Sequence, residues 1–461
     1  MTHSPKANQG ERNDVLLGMP SSDTVKRHLS SLRLFQFSSW ALSLLLVYLA
    51  SYLPQFDSSP EVIANLTPTD TTSDNLLLHA LQRLPLLRWD AFYFGHIALR
   101  GYVYEQEWAF FPGISFVMRN SARLWNLIFA RDLSAPLTWN GVLIGGFAAT
   151  CFTQTAPTLY HLTLHHLGSP SAAYLTALLS LLSSSPATLR LVAYTEPFFT
   201  FFSYKGMLYC AKSQWFLASL SFALAGTFRS NGFMLGGFIL YGLLIEPVLY
   251  RKRLPISHII RAILYTSITF VPFISHQYNA YIAFCTQTSS PAPWCNNFPP
   301  FIYTYVQSKY WNVGFLRYWT LSQLPNFLMS APVLVLLLYF SSYHILHTFV
   351  PQLIRLTSNV NLKKPSQKQT SRPKIHKVPS SPFLTPNLTP HAIHAFILTS
   401  ALLFSAHTQI ILRVAASMPF TYWAAAYLVV EKPFWGRLWV GWSLVWGAVS
   451  LVLWTTFLPP A

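Results

Sequence analysis

The stretch LFQFSSWALSLLLVYLASYLP, residues 34–54, contains no Asp, Glu, Lys or Arg. A helix needs about 20 mostly apolar residues to cross a bilayer, and this stretch has that length. Similar stretches recur along the chain without the period-two alternation of a transmembrane barrel. They predict spans at about 34–54, 139–164, 171–190, 191–211, 213–229, 232–249, 259–283, 326–350, 391–411, 415–430 and 438–457. The expected fold is therefore an all-α polytopic membrane protein with about 10–11 transmembrane helices.

The composition supports this class. Of the 461 residues, 52% are hydrophobic and only 10% are charged, whereas a soluble domain carries about 25% charged residues. Lys and Arg outnumber Asp and Glu by 31 to 14. Because basic residues collect in the cytosolic loops of membrane proteins, this excess indicates membrane topology and not nucleic-acid binding.

The basic residues predict the orientation and the domain organisation. They cluster in the tail before the first span, in YRKRLP (250–255) and in the loop 351–390, which the predicted spans put on one side, the cytosol. We expect a cytosolic polar tail (1–33), a transmembrane core (34–350), a basic disordered linker (351–390) and C-terminal transmembrane helices (391–461). The first span would act as a signal anchor.

The opposite face receives the large loop 55–138, the loop 284–325 and most of the acidic residues. Within the first loop, RWDAFYFGHIALRGYVYEQEWAFFPG (88–113) mixes carboxylates with aromatic residues. As a surface helix, this stretch would hold Asp90 at the depth of the lipid headgroups, where a lipid-linked substrate presents its reactive bond. The alternative is an interfacial aromatic belt with a solvated aspartate.

Other polar residues fall on the same predicted face. Glu196 lies near the end of a span, where an acid is costly unless it serves a cavity or a partner. Arg229 begins a span, and Gln409 and Arg413 are helical neighbours four residues apart. Taken singly, such residues also suit a helix-end carboxylate or a snorkelling arginine. Together they suit group transfer from a lipid phosphate, in which a carboxylate takes a proton and cations receive the charge of the leaving phosphate.

Other chemistries have weaker support. The chain has no GxxxxGK[ST] or GxGxxG motif after a strand. The stretch HLTLHH (161–166) looks like a metal motif but lacks a carboxylate partner and lies near the cytosolic side. We therefore predict no cofactor and no metal site, and leave open whether a divalent ion is required. Cys285 and Cys295 share one loop, and whether they are bridged stays open.

Four motifs occur in an order that resembles the eukaryotic GPI mannosyltransferase II family. They are RWDAFYFGHIALRGYVYEQEWAFFPG, SPATLRLVAYTEPFF (185–199), FRSNG (228–232) and HTQIILRVAASMPFTYW (407–423). The resemblance implies a GT-C-type glycosyltransferase in the endoplasmic reticulum membrane with a lumenal active site. It implies transfer of mannose from dolichyl-phosphate mannose to a GPI-precursor glycolipid, as the second mannose, in an inverting α-1,6 link. It also implies a small membrane accessory subunit.

The resemblance also implies roles for individual residues. Asp90 would be the general base. The residues that would bind donor or acceptor are Trp89, Glu105, Gln106, Glu196, Arg229, Asn231, His407, Gln409 and Arg413, with Arg229, Arg413 and His407 as candidates for the phosphate.

Three rival functions remain at this point. Another lumenal transferase that uses a dolichyl-phosphate sugar would need the same groups. A lipid or solute transporter should carry its ionisable groups in mid-span and often in repeated halves, whereas here they gather at one rim. If the chain were a non-catalytic subunit of such an enzyme, the enzyme would stay active after the loss of both Asp90 and Glu196.

Overall fold

The structure is a computed structural model that describes residues 22–60, 85–130, 134–287, 290–357 and 381–459. It is built from helices joined by short turns, some of them with 3₁₀ or π segments. In chain order the helices are α1 (Ser22–Ala50), α2 (Ala91–Arg100), α3 (Pro112–Trp125), α4 (Trp139–Thr150), α5 (Thr155–Leu167), α6 (Pro170–Leu179), α7 (Thr195–Ala211), α8 (Trp215–Gly226), α9 (Ser230–Leu249), α10 (Ile256–Thr286), α11 (Ile302–Trp311), α12 (Leu321–Thr357), α13 (Pro386–Ser405), α14 (Ile410–Val414), α15 (Pro419–Glu431) and α16 (Pro433–Thr455).

Six helices in the described part of the chain are long and apolar enough to cross a membrane: α1, α9, α10, α12, α13 and α16. Each overlaps one of the predicted spans. The all-α polytopic class is therefore confirmed. The other predicted spans fall on shorter helices, so the total of 10–11 crossings stays a prediction.

The predicted span at 139–164 is not one helix. The chain forms α4 and α5, with a break at residues 151–154. Pro157 lies in the first turn of α5, a position that tolerates proline because no helical hydrogen bond is lost there. A hydropathy window averages over such a break, since the residues on both sides of it are apolar.

Prolines also mark the next two predicted spans. α6 ends at Leu179, and α7 begins only at Thr195. Between them, a short π turn follows Pro186. The stretch predicted as a span at 171–190 is therefore interrupted near Pro186. Pro197, by contrast, does not break a helix but lies in the first turn of α7.

The helices divide into a core and a periphery. Nearly every residue of α15 from Pro419 to Tyr427 is buried, as expected for a helix that is apolar on all sides and packed within a bundle. α1, α10 and α16 lie outside and expose large apolar side chains such as Leu42, Ile263 and Val445. An exposed apolar surface of this extent indicates contact with lipid.

The predicted loops and termini are partly described. α1 begins at Ser22, well before the predicted span, and α12 continues to Thr357, into the predicted linker. Residues 1–21, 61–84, 131–133, 288–289, 358–380 and 460–461 lie outside the described residues, so the disorder predicted for the linker stays a prediction. The loop 55–138 contains α2 and α3, which pack against each other.

Candidate active site

A cavity of about 960 Å³ opens among α2, α9, α10, α11 and α13. We call it the Asp90 cavity. Most of the predicted site residues line it: Asp90, Arg229, Asn231, His407, Gln409 and Arg413. The two members of this set that are farthest apart in sequence, Asp90 and Arg413, are separated by more than 300 positions. The sequence predicted only that these residues lie on the same side of the membrane, and the fold brings them into one cavity.

The charged groups form one connected network. Arg413 donates from Nη1 to Oδ2 of Asp90 over 2.8 Å and from Nε to Oε1 of Glu196 over 2.7 Å. Arg229 donates from Nη1 to the same Oε1 over 2.7 Å. Two carboxylates thus balance two guanidinium groups, which lets charges this deep in a helical bundle stay ionised.

Glu196 is the buried centre of this network. It is 2% exposed and lies in the first turn of α7, where the helix dipole stabilises a negative charge. Its neighbour Thr195 accepts a hydrogen bond from Arg229 over 3.3 Å. Glu196 holds both arginines and does not line the cavity, so it supports Arg229 and Arg413 from behind the wall, and its predicted contact with a ligand stays a prediction.

The Arg-Ser-Asn-Gly motif places Arg229 by a tight turn. Arg229 has an extended backbone and precedes a 3₁₀ turn that begins α9. At Gly232, a Cβ atom would lie 2.4 Å from Cα of Gly226, so no other residue fits against the end of α8. The glycine therefore allows the turn to fold back and present Arg229 and Asn231 to the cavity.

Trp89 positions Asp90 but does not line the cavity. Its φ is 50°, a left-handed conformation that is uncommon for a bulky residue. Its ring packs against Phe457 at 5.2 Å between centroids, and the carbonyl of Arg88 accepts a hydrogen bond from Tyr194 over 2.9 Å. These contacts hold a reversed turn that puts Asp90 directly before α2. The predicted binding role of Trp89 is not supported by this geometry.

His407 and Gln409 hold the outer wall of the cavity. Nε2 of His407 donates to the carbonyl of Trp311 over 2.8 Å, and the ring stacks on Tyr318. Gln409 accepts from the hydroxyl of Tyr318 over 2.7 Å. Since Nε2 of His407 is already used, the two arginines are the stronger candidates for the predicted phosphate contact.

Other residues line the cavity without having been predicted. Tyr303 and Gln307 come from α11, within the loop 284–325, and Ser230 lies beside Arg229. The hydroxyls of Ser230 and Tyr303 are 2.7 Å apart. The signal in the sequence was the convergence of this loop on the same predicted face, but no motif within it distinguished these side chains.

Aromatic rings form part of the wall near Asp90. Phe110 stacks on Tyr93, with ring centroids 4.7 Å apart, and meets Trp311 edge-to-face at 5.8 Å. Phe110, Phe111 and Trp311 all line the cavity. Apolar walls with a few convergent polar groups are typical of a site for an organic ligand.

Glu105 and Gln106 do not reach the cavity. Glu105 instead joins the turn before α3 to the loop 284–325. It accepts hydrogen bonds from Nζ of Lys309 and the hydroxyl of Tyr310, both over 2.9 Å, and from Nε1 of Trp294 over 3.1 Å. The hydrogen bond to Glu105 raises the pKa of Lys309. Glu105 therefore braces two loops, and the ligand contact predicted for Glu105 and Gln106 stays a prediction.

We expect Glu105→Gln to lower the stability of the protein by about 1–2 kcal/mol, because an amide oxygen forms weaker hydrogen bonds than a carboxylate. The loss of the ion pair with Lys309 adds little to this cost, since Lys309 is exposed to solvent. Turnover should stay close to that of the unmodified chain. Thermal unfolding of the purified protein measures the first effect. Glu431→Gln, an exposed change at the end of α15, is the matched control and should leave the melting temperature unchanged.

Glu107, the second glutamate of the EQEWAFFPG stretch, has structural contacts. It is 2% exposed. Its Oε2 accepts from the backbone N–H groups of Val103 and Tyr104 over 2.7 and 2.9 Å, and its Oε1 faces Nδ1 of His96. Glu107 thus closes the turn that connects α2 to the aromatic wall.

Cys285 and Cys295, whose pairing the sequence left open, form a disulfide bond. It lies where α10 ends, next to the stretch that leads into α11. The segment that carries Tyr303 and Trp311 to the cavity is therefore tied to α10 by a covalent bond and to Glu105 by hydrogen bonds.

Acidic and metal-ligating groups are sparse here. Among the described residues that line the Asp90 cavity, Asp90 is the one carboxylate. No group of three or more His, Cys, Asp or Glu side chains in the described ranges is arranged to hold a metal ion. The cavity thus offers one carboxylate, two guanidinium groups and an aromatic wall.

Comparison with known proteins shows the family to which the chain belongs. The family model described as mannosyltransferase (PIG-V) matches residues 29–461. GPI mannosyltransferase 2 of Cryptococcus neoformans var. neoformans is 35% identical over 90% of this chain and 94% of its own length. GPI alpha-1,6-mannosyltransferase 2 of Cricetulus griseus is 32% identical over 75% of this chain and 74% of its own. No solved structure matches the chain. This protein belongs to the PIG-V mannosyltransferase family.

Proposed function

We propose that this chain transfers mannose from dolichyl-phosphate mannose to the first mannose of a GPI-anchor precursor. The product link would be α-1,6, formed with inversion, on the lumenal side of the endoplasmic reticulum membrane. The observation that carries the proposal is the pairing, within one cavity, of one carboxylate with two arginines in a membrane-embedded member of this family. The names of the related proteins, which print GPI and, for one of the two, alpha-1,6, support the proposed acceptor class and link.

The single carboxylate favours inversion. Direct displacement requires one base to take the proton of the acceptor hydroxyl, whereas retention through a covalent intermediate would use a second carboxylate as nucleophile, as in retaining glycosidases. Glu196 is unsuited to that second role, because both arginines bind it and it lies behind the cavity wall. Asp90, which is 29% exposed at its side chain, is accessible to an acceptor hydroxyl.

The arginines would hold the leaving phosphate. Arg413 uses Nη1 and Nε for Asp90 and Glu196, which leaves Nη2 without a partner among the described residues. Guanidinium groups bind phosphate through two parallel hydrogen bonds and stay ionised. When the donor binds, Arg413 can exchange its bond to Asp90 for one to phosphate, and the freed carboxylate then accepts the proton.

Two features support the lumenal side for the Asp90 cavity. The disulfide between Cys285 and Cys295 lies at the same end of α10 as this cavity, and disulfides form in oxidising compartments such as the reticulum lumen. The basic turn at residues 250–255 lies at the opposite end of α10, as expected for a cytosolic loop. The accessory subunit implied by the resemblance stays a prediction.

Expression of this chain in cells that lack their own second GPI mannosyltransferase tests the proposal. We expect it to convert the accumulated one-mannose precursor into the two-mannose form and to require dolichyl-phosphate mannose in isolated membranes. Digestion of the product with an α-1,6-specific mannosidase would identify the link. If the one-mannose precursor persists while another sugar acceptor is extended, the chain acts at a different step.

A further inference from the structure

A second cavity, of about 520 Å³, lies at the other end of the helices that enclose the Asp90 cavity. We call it the Lys252 cavity. α7 runs from Thr195 at the first cavity to Ala211 at the second, and α9 runs likewise from Ser230 to Glu246. The two cavities therefore occupy opposite poles of one bundle, and the second has no part in the proposed transfer.

The Lys252 cavity is rich in basic groups. Lys252 and Arg261 line it, and neither forms a direct salt bridge among the described residues, although the charge of Lys252 acts on nearby Glu246. Among the described residues that line the cavity, Glu246 is the one acid. Imidazole groups complete the polar wall: His165, His166, His258 and His391. With two permanent cations against one carboxylate, the cavity attracts an anion.

The HLTLHH stretch contributes to this wall. His165 donates from Nε2 to the carbonyl of Ala211 over 2.9 Å, and Nε2 of His166 lies 3.2 Å from Nε2 of His391. One ring of that pair must donate to the other, so the two rings are held as a hydrogen-bonded pair. The motif that looks like a metal site is thus a wall of a polar cavity.

The cavity also has an apolar part. Met207, Trp215 and Phe238 line it beside the basic groups. Lys252 lies in the turn between α9 and α10, at the helix ends, which is where the headgroups of a bilayer would lie. Basic pockets between transmembrane helices at this depth suit anionic lipid headgroups, and the volume falls within the range of small-molecule sites.

We propose that the Lys252 cavity binds the phosphate headgroup of an anionic phospholipid. Lys252 and Arg261 contact the phosphate, and an acyl chain runs along Trp215 and Phe238. This site does not depend on the proposed catalytic function, because the residues that line it are distinct from those of the Asp90 cavity.

Binding of dioctanoyl phosphatidic acid to the purified full chain in detergent tests the proposal. Thermophoresis gives the dissociation constant without an activity measurement. We expect Lys252→Gln and Arg261→Gln each to weaken binding about fivefold, and the double variant about 25-fold, because each cation near a membrane surface contributes about that factor. Arg253→Gln is the matched control. Arg253 is an exposed residue of the same turn as Lys252, but its side chain does not line the cavity.

Several results would overturn the assignment. The site is refuted if the double variant binds as tightly as the unmodified chain, or if Arg253→Gln weakens binding equally. Equal binding of dioctanoyl phosphatidylcholine would contradict anion selectivity. Competition by inorganic phosphate at the same concentration as the lipid would show a site for free phosphate and contradict the lipid assignment.

Discussion

Asp90→Asn is expected to reduce mannosyl transfer by about 10²–10⁴-fold, the contribution typical of a general base. An asparagine keeps the size of the side chain and an oxygen that can accept from Arg413, so the network around Glu196 should persist. The variant should therefore fold and insert normally while it loses turnover. The measurement is the rate of transfer by purified enzyme at saturating donor and acceptor.

The control for this prediction is Asp57→Asn, the same change at an aspartate that does not line the cavity and whose carboxylate accepts hydrogen bonds from Ser59. It should leave the rate unchanged. Normal turnover by the Asp90→Asn protein would remove Asp90 from the mechanism. A loss of both activity and folded protein would instead assign Asp90 to the structural network.

Arg413→Lys is expected to lower turnover by about 10²–10³-fold, the loss found when a group that stabilises transition-state charge is removed. A lysine keeps the positive charge but cannot reach Asp90 and Glu196 at once, since it lacks the planar fork of a guanidinium group. One of the two carboxylates then loses its partner, at a cost of about 1–3 kcal/mol in stability. Transfer rates and thermal unfolding measure the two effects.

Arg437→Lys provides the comparison for this change. Arg437 lies exposed on α16 and does not line the Asp90 cavity, so both quantities should stay as in the unmodified protein. If Arg413→Lys transfers mannose at the normal rate, the geometry of the guanidinium group is not used and a point charge suffices.

The membrane class and the location of the site were predictable for physical reasons. A bilayer demands long apolar helices, so hydropathy finds α1, α9, α10, α12, α13 and α16 directly. Charged residues in such a chain are costly unless they share a partner or a cavity. That cost made Glu196, Arg229 and Arg413 conspicuous, and the structure confirms that they and Asp90 meet.

The pairing within the network was not predictable. The spacing of residues along the chain does not predict that Arg413 forms ion pairs with both Asp90 and Glu196, because both contacts join residues far apart in sequence. The same limit explains Glu105, which the family resemblance made a candidate for binding donor or acceptor but which accepts hydrogen bonds from Lys309 and Tyr310. Its partners lie in a loop without a motif, so only the fold identifies its role as a brace.

Local backbone geometry was equally hidden. Trp89 adopts a positive φ, against its intrinsic preference, because packing on Phe457 holds it there. The break before α5 at residues 151–154 separates two apolar helices, so the hydropathy of the stretch does not reveal it. In both places tertiary contacts or the turn itself decide the conformation, and neither is visible to a pattern of hydrophobic residues.

The most direct test of the central claim is a structure of the full chain with a non-transferable phosphonate analogue of dolichyl-phosphate mannose. The claim is that one cavity holds the donor phosphate against Arg229 and Arg413 with Asp90 beside the reacting carbon. We predict phosphonate oxygens within hydrogen-bond distance of both guanidinium groups and the sugar against the aromatic wall near Asp90. Density for the phosphonate outside the Asp90 cavity, with the bond between Arg413 and Asp90 intact, would contradict the account.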